Sequence, residues 1–273
     1  MKLSSPRRPG LMILAGFLAV AFVATAALAA VLLNESFSYA DGPLVGQGGW
    51  TSHSGAGAKP IQVTSGRVRV EQSAGSGEDD NVTFPVQATT ATTRARFTLN
   101  VPSVAPGGGA PTFGAGDYFA HLRPATLVNN FRARVYTIAP VAGGNYSLGL
   151  STTSAGTSPI VPMTVDLNFN QDYSVVISYN AATGTSTMSV DGIAGQVVSA
   201  SAAAVGEDIS GFALRQSAVA TTYQIVDDVV VGQTREDLGP STLPGMAPVG
   251  AVALASLLLG AGALITFRRA RMA

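Results

Sequence analysis

The chain has no cysteine, only two histidines and a single tryptophan in 273 residues. Without thiols there are no disulfides, no thiolate nucleophile, no Cys-ligated zinc and no iron–sulfur cluster. Charge is sparse at 12% of residues. No helical period runs through residues 31–238. The chain also lacks G-x-S-x-G, the elbow that exposes a nucleophilic serine, and Glu-x-Asp-x-Glu, the alternation that aims two carboxylates at one sugar. Glu78-Asp79-Asp80 and Asp227-Asp228 are consecutive, so adjacent carboxylates diverge. The former, in a Gly/Ser-rich loop over 73–80, reads as a solvated acidic turn. His53 and His121 have no partner at ligand spacing and read as structural or exposed.

Long apolar runs occur only at the ends. After Pro244 come roughly 20 apolar residues without charge, enough for a helix to cross a hydrocarbon core of about 30 Å. Arg268, Arg269 and Arg271 follow at once and hold that end on the cytoplasmic side. At the other end Lys2, Arg7 and Arg8 precede an apolar stretch from Leu11 to Val23 and the small residues Ala27–Ala30, the layout of a secretory signal removed by signal peptidase. The expected organisation is therefore a signal over 1–30, a body over 31–233, a linker over 234–245 and a transmembrane anchor over 246–273. The body is exported, at the cell envelope or surface.

Six of the 16 basic residues lie in those two tails, whereas all 16 acidic residues lie between Glu35 and Asp237. The body is thus mildly acidic, which argues against a nucleic-acid partner. Within it, short alternating runs are bounded by Gly, Pro, Asn and Asp, the signature of strands. Residues 93–101 set Ala95, Phe97, Leu99 and Val101 on one side and Arg94, Arg96 and Asn100 on the other. Residues 61–63 and 67–70 form a hairpin through Thr64-Ser65-Gly66, and 173–191 form another through Ala181-Ala182-Thr183-Gly184. About ten to fourteen such strands make an all-β body of two packed antiparallel sheets.

The order Phe37-Ser38-Tyr39-Ala40-Asp41-Gly42-Pro43-Leu44, Gly48-Gly49-Trp50, Glu78-Asp79-Asp80, Asp117-Tyr118-Phe119 and Arg132-Ala133-Arg134-Val135 resembles bacterial secreted domains of the concanavalin A-like/laminin-G-like jelly-roll class. Tyr173–Tyr179, Ala213–Gln216 and Ile225–Gly232 continue the match. The resemblance implies a two-sheet jelly-roll β-sandwich, more often a binding module than an enzyme. It also implies a structural calcium where first and last strands meet, with Glu35, Asp41, Asp227 and Asp228 as oxygen ligands. The tail resembles exosortase-type (PEP-CTERM-like) sorting anchors in layout, with Thr242–Pro248 standing where Pro-Glu-Pro is usual, which implies a sorting enzyme as a further partner.

Sugar binding calls for aromatic faces with a few polar groups, and Trp50, Tyr39, Tyr118 and Tyr136 are the platforms on offer. The leading expectation is a non-catalytic, membrane-anchored surface module for polysaccharide or matrix contact. An envelope structural protein without small ligand is the second reading, and a divergent glycan-active enzyme the third.

Overall fold

Residues that alternate between apolar and polar character form strands buried on one face, and Thr92–Asn100 shows how. Ala95, Phe97 and Leu99 are fully buried toward the core, with Arg94 and Arg96 on the opposite face. The computed structural model describes residues 31–72, 77–114, 118–126, 129–153, 159–217 and 220–240. The signal over 1–30 and the anchor over 246–273, with Arg268, Arg269 and Arg271, lie outside them. Among the described residues no helix is long and apolar enough to cross a membrane.

Sixteen strands form in chain order: β1 (Leu33–Glu35), β2 (Gly42–Pro43), β3 (Thr51–Ser54), β4 (Gln62–Thr64), β5 (Arg67–Glu71), β6 (Asp79–Thr83), β7 (Thr92–Asn100), β8 (Tyr118–Pro124), β9 (Arg132–Ile138), β10 (Ser147–Ser151), β11 (Val161–Pro162), β12 (Tyr173–Asn180), β13 (Thr185–Val190), β14 (Val197–Ala200), β15 (Ile209–Leu214) and β16 (Tyr223–Gly232). A nine-stranded sheet runs β14-β13-β12-β7-β16-β5-β4-β2, with β1 also on β16, and a seven-stranded sheet runs β11-β10-β9-β8-β15-β6-β3. Every ladder is antiparallel. The all-β, two-sheet expectation holds, and the strands beyond fourteen are pieces as short as the two residues of β2 and β11.

The core lies between the sheets. Phe97 from one sheet meets Phe119 and Phe212 from the other, with ring centroids 6.1 and 5.8 Å apart. Burying such a ring contributes roughly 1.5–3 kcal/mol. The last strand, β16, lies beside β7 along its length and carries a bulge between Asp227 and Val230, with Asp228 at φ 48°. That bulge lets β5 pair with its first half and β1 with its second. The β4–β5 hairpin turns at Ser65 (φ 52°) and Gly66 (φ 73°), the two positive values a tight hairpin needs.

Two sequence expectations change here. The acidic run is no solvated turn: Asp79 opens β6, and Glu78 and Asp80 are buried. Val82 of the same strand belongs to the core, so the two-residue period turns Asp80 inward and Asp79 outward. The linker also begins later than residue 234. Leu238 packs on Val176 and Val230 on the outer face of the nine-stranded sheet. Arg96 Nη1 donates to the carbonyls of Gly239 and Pro240 at 2.7 and 2.6 Å. Residues 238–240 therefore lie against that outer face.

Candidate functional site

Trp50, read as the leading sugar platform, is 1% exposed. Its Nε1 donates to Glu35 Oε2 at 3.0 Å, and its ring lies 5.7 Å from Phe37. Tyr39 Oη donates to the same oxygen at 2.7 Å, and Phe37 N to Oε1 at 2.7 Å. Burial, followed by the bond to Glu35 and its charge, pushes the Tyr39 phenol up to about 12. The glycine-rich loop passes over this group: a Cβ at Gly48, which has φ 54°, would lie 1.5 Å from Tyr39 Oη. Trp50 and Tyr39 thus pin the first loop to the sandwich, and Trp50 presents no face to a ligand.

The four acids read as calcium ligands do not converge. Glu35 is filled by three N–H and O–H donors. Asp41 Oδ1 accepts from Ser65 N at the β4–β5 turn, 2.7 Å away. Asp227 Oδ1 accepts from Asp228 N at 2.8 Å, and the Arg67 guanidinium stands between Asp227 (3.4 Å) and Asp172 (3.1 Å), where a cation is already supplied by the protein. No group of three His, Cys, Asp or Glu positioned for a metal ion exists among the described residues. Calorimetry with calcium and with chelator is expected to give one melting temperature; a rise with calcium would restore the metal site.

Two surface depressions carry neither a histidine nor a carboxylate. One, of about 400 Å³ on the outer face of the nine-stranded sheet, is lined by Ser178, Thr185, Thr187 and Arg94. The other, of about 410 Å³, is apolar and lined by Phe113, Ile138, Pro140 and Val141.

Chemically richer groups meet on the outer face of the seven-stranded sheet. On β8, Phe119, Ala120 and Leu122 all belong to the core because register shifts against β9 break the two-residue period. His121, paired with Ala213 between the core residues Phe212 and Leu214, faces out with Tyr118, which lies under Arg134 and Arg215. On β9, Val135 faces the core, and Arg134 and Tyr136 face out. Arg215 follows β15, and His53 sits at a bulge in β3. β3 and β8 are three strands apart, which spans about 14 Å in a flat sheet. Yet the His53 and His121 rings are 6.4 Å apart, and His53 and Phe131 are 5.2 Å apart. His53 and Phe131 thus pack together over the buried His121, which lies 4.3 Å from Phe131 and opposite the small Ala213.

The tyrosines are not open platforms either. Tyr118 and Tyr136 are 7% and 2% exposed, because guanidiniums cover them. Arg215 Cζ lies 4.6 Å and Arg134 Cζ 5.0 Å from the Tyr118 centroid, and Arg134 Cζ lies 5.7 Å from that of Tyr136. Burial pushes the Tyr118 phenol up to about 12 against the pull of both arginines. Burial, then the charges of His53, Arg215, Arg134 and Arg123, drives the His121 imidazole well below its ordinary range, so it is neutral. Neither of its ring nitrogens has a hydrogen-bond partner. Sequence reasoning found Tyr118 and Tyr136 but set His53 and His121 aside and missed Arg123, Arg134 and Arg215. The only sequence signal was their placement in or beside alternating strands.

No protein-family model and no curated protein matches the chain. Solved structures to which it is similar include peanut lectin with a 9mer peptide, at 11% identity and TM-score 0.48, covering 74% of this chain and 96% of that one. Basic winged bean lectin with Tn-antigen follows at 10% identity and TM-score 0.45, covering 73% and 96%. The binding domain of botulinum neurotoxin DC in complex with SialylT is 9% identical with TM-score 0.45, and the chain covers 50% of its length. At such identities the likeness is one of backbone course, and the chemistry of this chain has to be read from its own residues.

Proposed function

We propose that the chain is a non-catalytic surface module that binds polysaccharide through the outer face of its seven-stranded sheet. The observation that supports this most is the side-chain cluster on that face. Aromatic rings and hydrogen-bond donors from four different strands or their flanks converge there. Rings with orienting polar groups suit a sugar. Among the described residues Asp79 is the carboxylate turned to this face while Asp80 is turned into the core, which supports binding over glycoside hydrolysis by paired acids. The sandwich suits the jelly-roll class that the sequence resembles.

Residues 246–273 then serve as the membrane anchor. Arg96 holds Gly239 and Pro240 on the other sheet, the last described residues before that segment. A glycan array probed with the full-length chain in detergent tests the reading: retention of specific glycans is expected, and reducing-end release would replace a binding module with an enzyme.

A further inference from the structure

Among the described residues, basic groups outnumber acidic ones in this cluster, although the body as a whole is acidic. His53, Arg123, Arg134 and Arg215 all act on His121. The carboxylate that reaches them is Asp79, 3.8 Å from Arg215 Nε, and it is shared with Ser54 Oγ at 2.8 Å and Gln216 N at 3.0 Å. Arg134 donates to Ser151 Oγ at 3.1 Å and to the Thr153 carbonyl, neutral acceptors that leave its charge uncompensated. The Nε atoms of Arg123 and Arg134 are buried without a partner.

An independent feature points the same way. The His121 side chain is 1% exposed with both nitrogens unpartnered, and an unsatisfied buried polar group costs about 1–3 kcal/mol. Guanidiniums held close together over aromatic rings, beside an imidazole with donor and acceptor to spare, make a binding site for anions.

We infer that this cluster takes a polysaccharide carrying repeated anionic groups, carboxylate or sulfate, with the partly exposed Arg215 and Arg123 as the first contacts. This rests on the glycan-binding reading above and adds the ligand class. The half-exposed groups Arg215, Arg123 and His53 belong to three different strand regions. Placement on three separate strand regions suits a chain of charged sugars. Nucleic acid fits less well, because the tyrosine faces on which bases would stack are already covered by Arg134 and Arg215.

The test is calorimetric titration of the full-length chain in detergent with polygalacturonate, heparin, dextran and duplex DNA at two salt concentrations. Binding of polygalacturonate or heparin is expected, weakening as salt rises, with dextran and DNA at least tenfold weaker. Arg215→Gln and Arg123→Gln should each lower the affinity about tenfold, the loss of one charged contact, with Arg215→Lys intermediate and melting temperatures retained. Polygalacturonate ahead of heparin assigns carboxylate as the anion, and the reverse assigns sulfate. Retention of dextran alone, untouched by the arginine variants, would overturn the anionic class and leave glycan binding standing. Binding of none of the polymers by a folded chain would remove the glycan reading and this inference together. DNA bound as tightly as polygalacturonate, or wild-type affinity in both Gln variants, would also overturn it.

Discussion

Asp80→Asn is expected to raise the melting temperature, and to raise it more at pH 8 than at pH 5. Asp80 is wholly buried on the inner face of β6, and neither carboxylate oxygen has a hydrogen-bond partner. Burial, followed by the charges of Glu78 and Asp79, pushes its carboxyl from an ordinary 3.8 up to about 8. The folded chain therefore keeps a proton that the unfolded chain surrenders. Stability from this group is complete below 3.8 and is lost as pH climbs to about 8. The slope over that window is about 1.4 kcal/mol per pH unit, so some 3–4 kcal/mol separate pH 5 from pH 8. For a body of this size that corresponds to roughly 10 °C. Asparagine is neutral throughout and escapes the loss, so the gap between variant and parent should widen across the window and level off above it. Differential scanning calorimetry at several pH values reads this directly. A gap that stays constant with pH would mean that Asp80 has a compensating partner.

Glu35→Gln and Trp50→Ala should each come close to unfolding the body. Glu35 accepts from Phe37 N, Tyr39 Oη and Trp50 Nε1, all within 3.0 Å. An amide at this position offers one acceptor oxygen and turns an NH₂ group toward donors, at a cost of about 2–4 kcal/mol. Trp50→Ala removes a buried ring and strands the carboxylate, for about 3–5 kcal/mol. Because the two residues share a bond, Glu35→Gln combined with Trp50→Phe should cost less than the sum of the single changes. Urea melts of the four chains supply the cycle. Normal stability in Trp50→Ala with lost glycan retention would reinstate Trp50 as a ligand platform and remove its place in the core.

How far the sequence could be read depended on the range of the interaction. Thr92–Asn100 and Tyr173–Asn180 announce themselves because a strand buried on one face alternates locally. The Ser65-Gly66 turn is visible because its positive φ values favour particular residues. β6 was missed because Glu78-Asp79-Asp80 looks polar in a linear window, and only the inward position of Val82 shows that Asp80 shares its face. For Trp50 the sequence leaves a core place and a ligand platform both open; burial at 1% and the close approach of Tyr39 and Glu35 to Gly48 give it the core place.

Composition and periodicity alone settled the all-β class, the two-sheet packing and the absence of thiol chemistry, because these follow from residue type and nearest neighbours along the chain. Which side chains share a cluster was decided by the tertiary structure. His53, His121, Arg134 and Arg215 are scattered over more than 160 positions in the sequence. Strand order in the seven-stranded sheet brings them together, and Coulomb interactions depend on distance through space, to which spacing along the chain is blind.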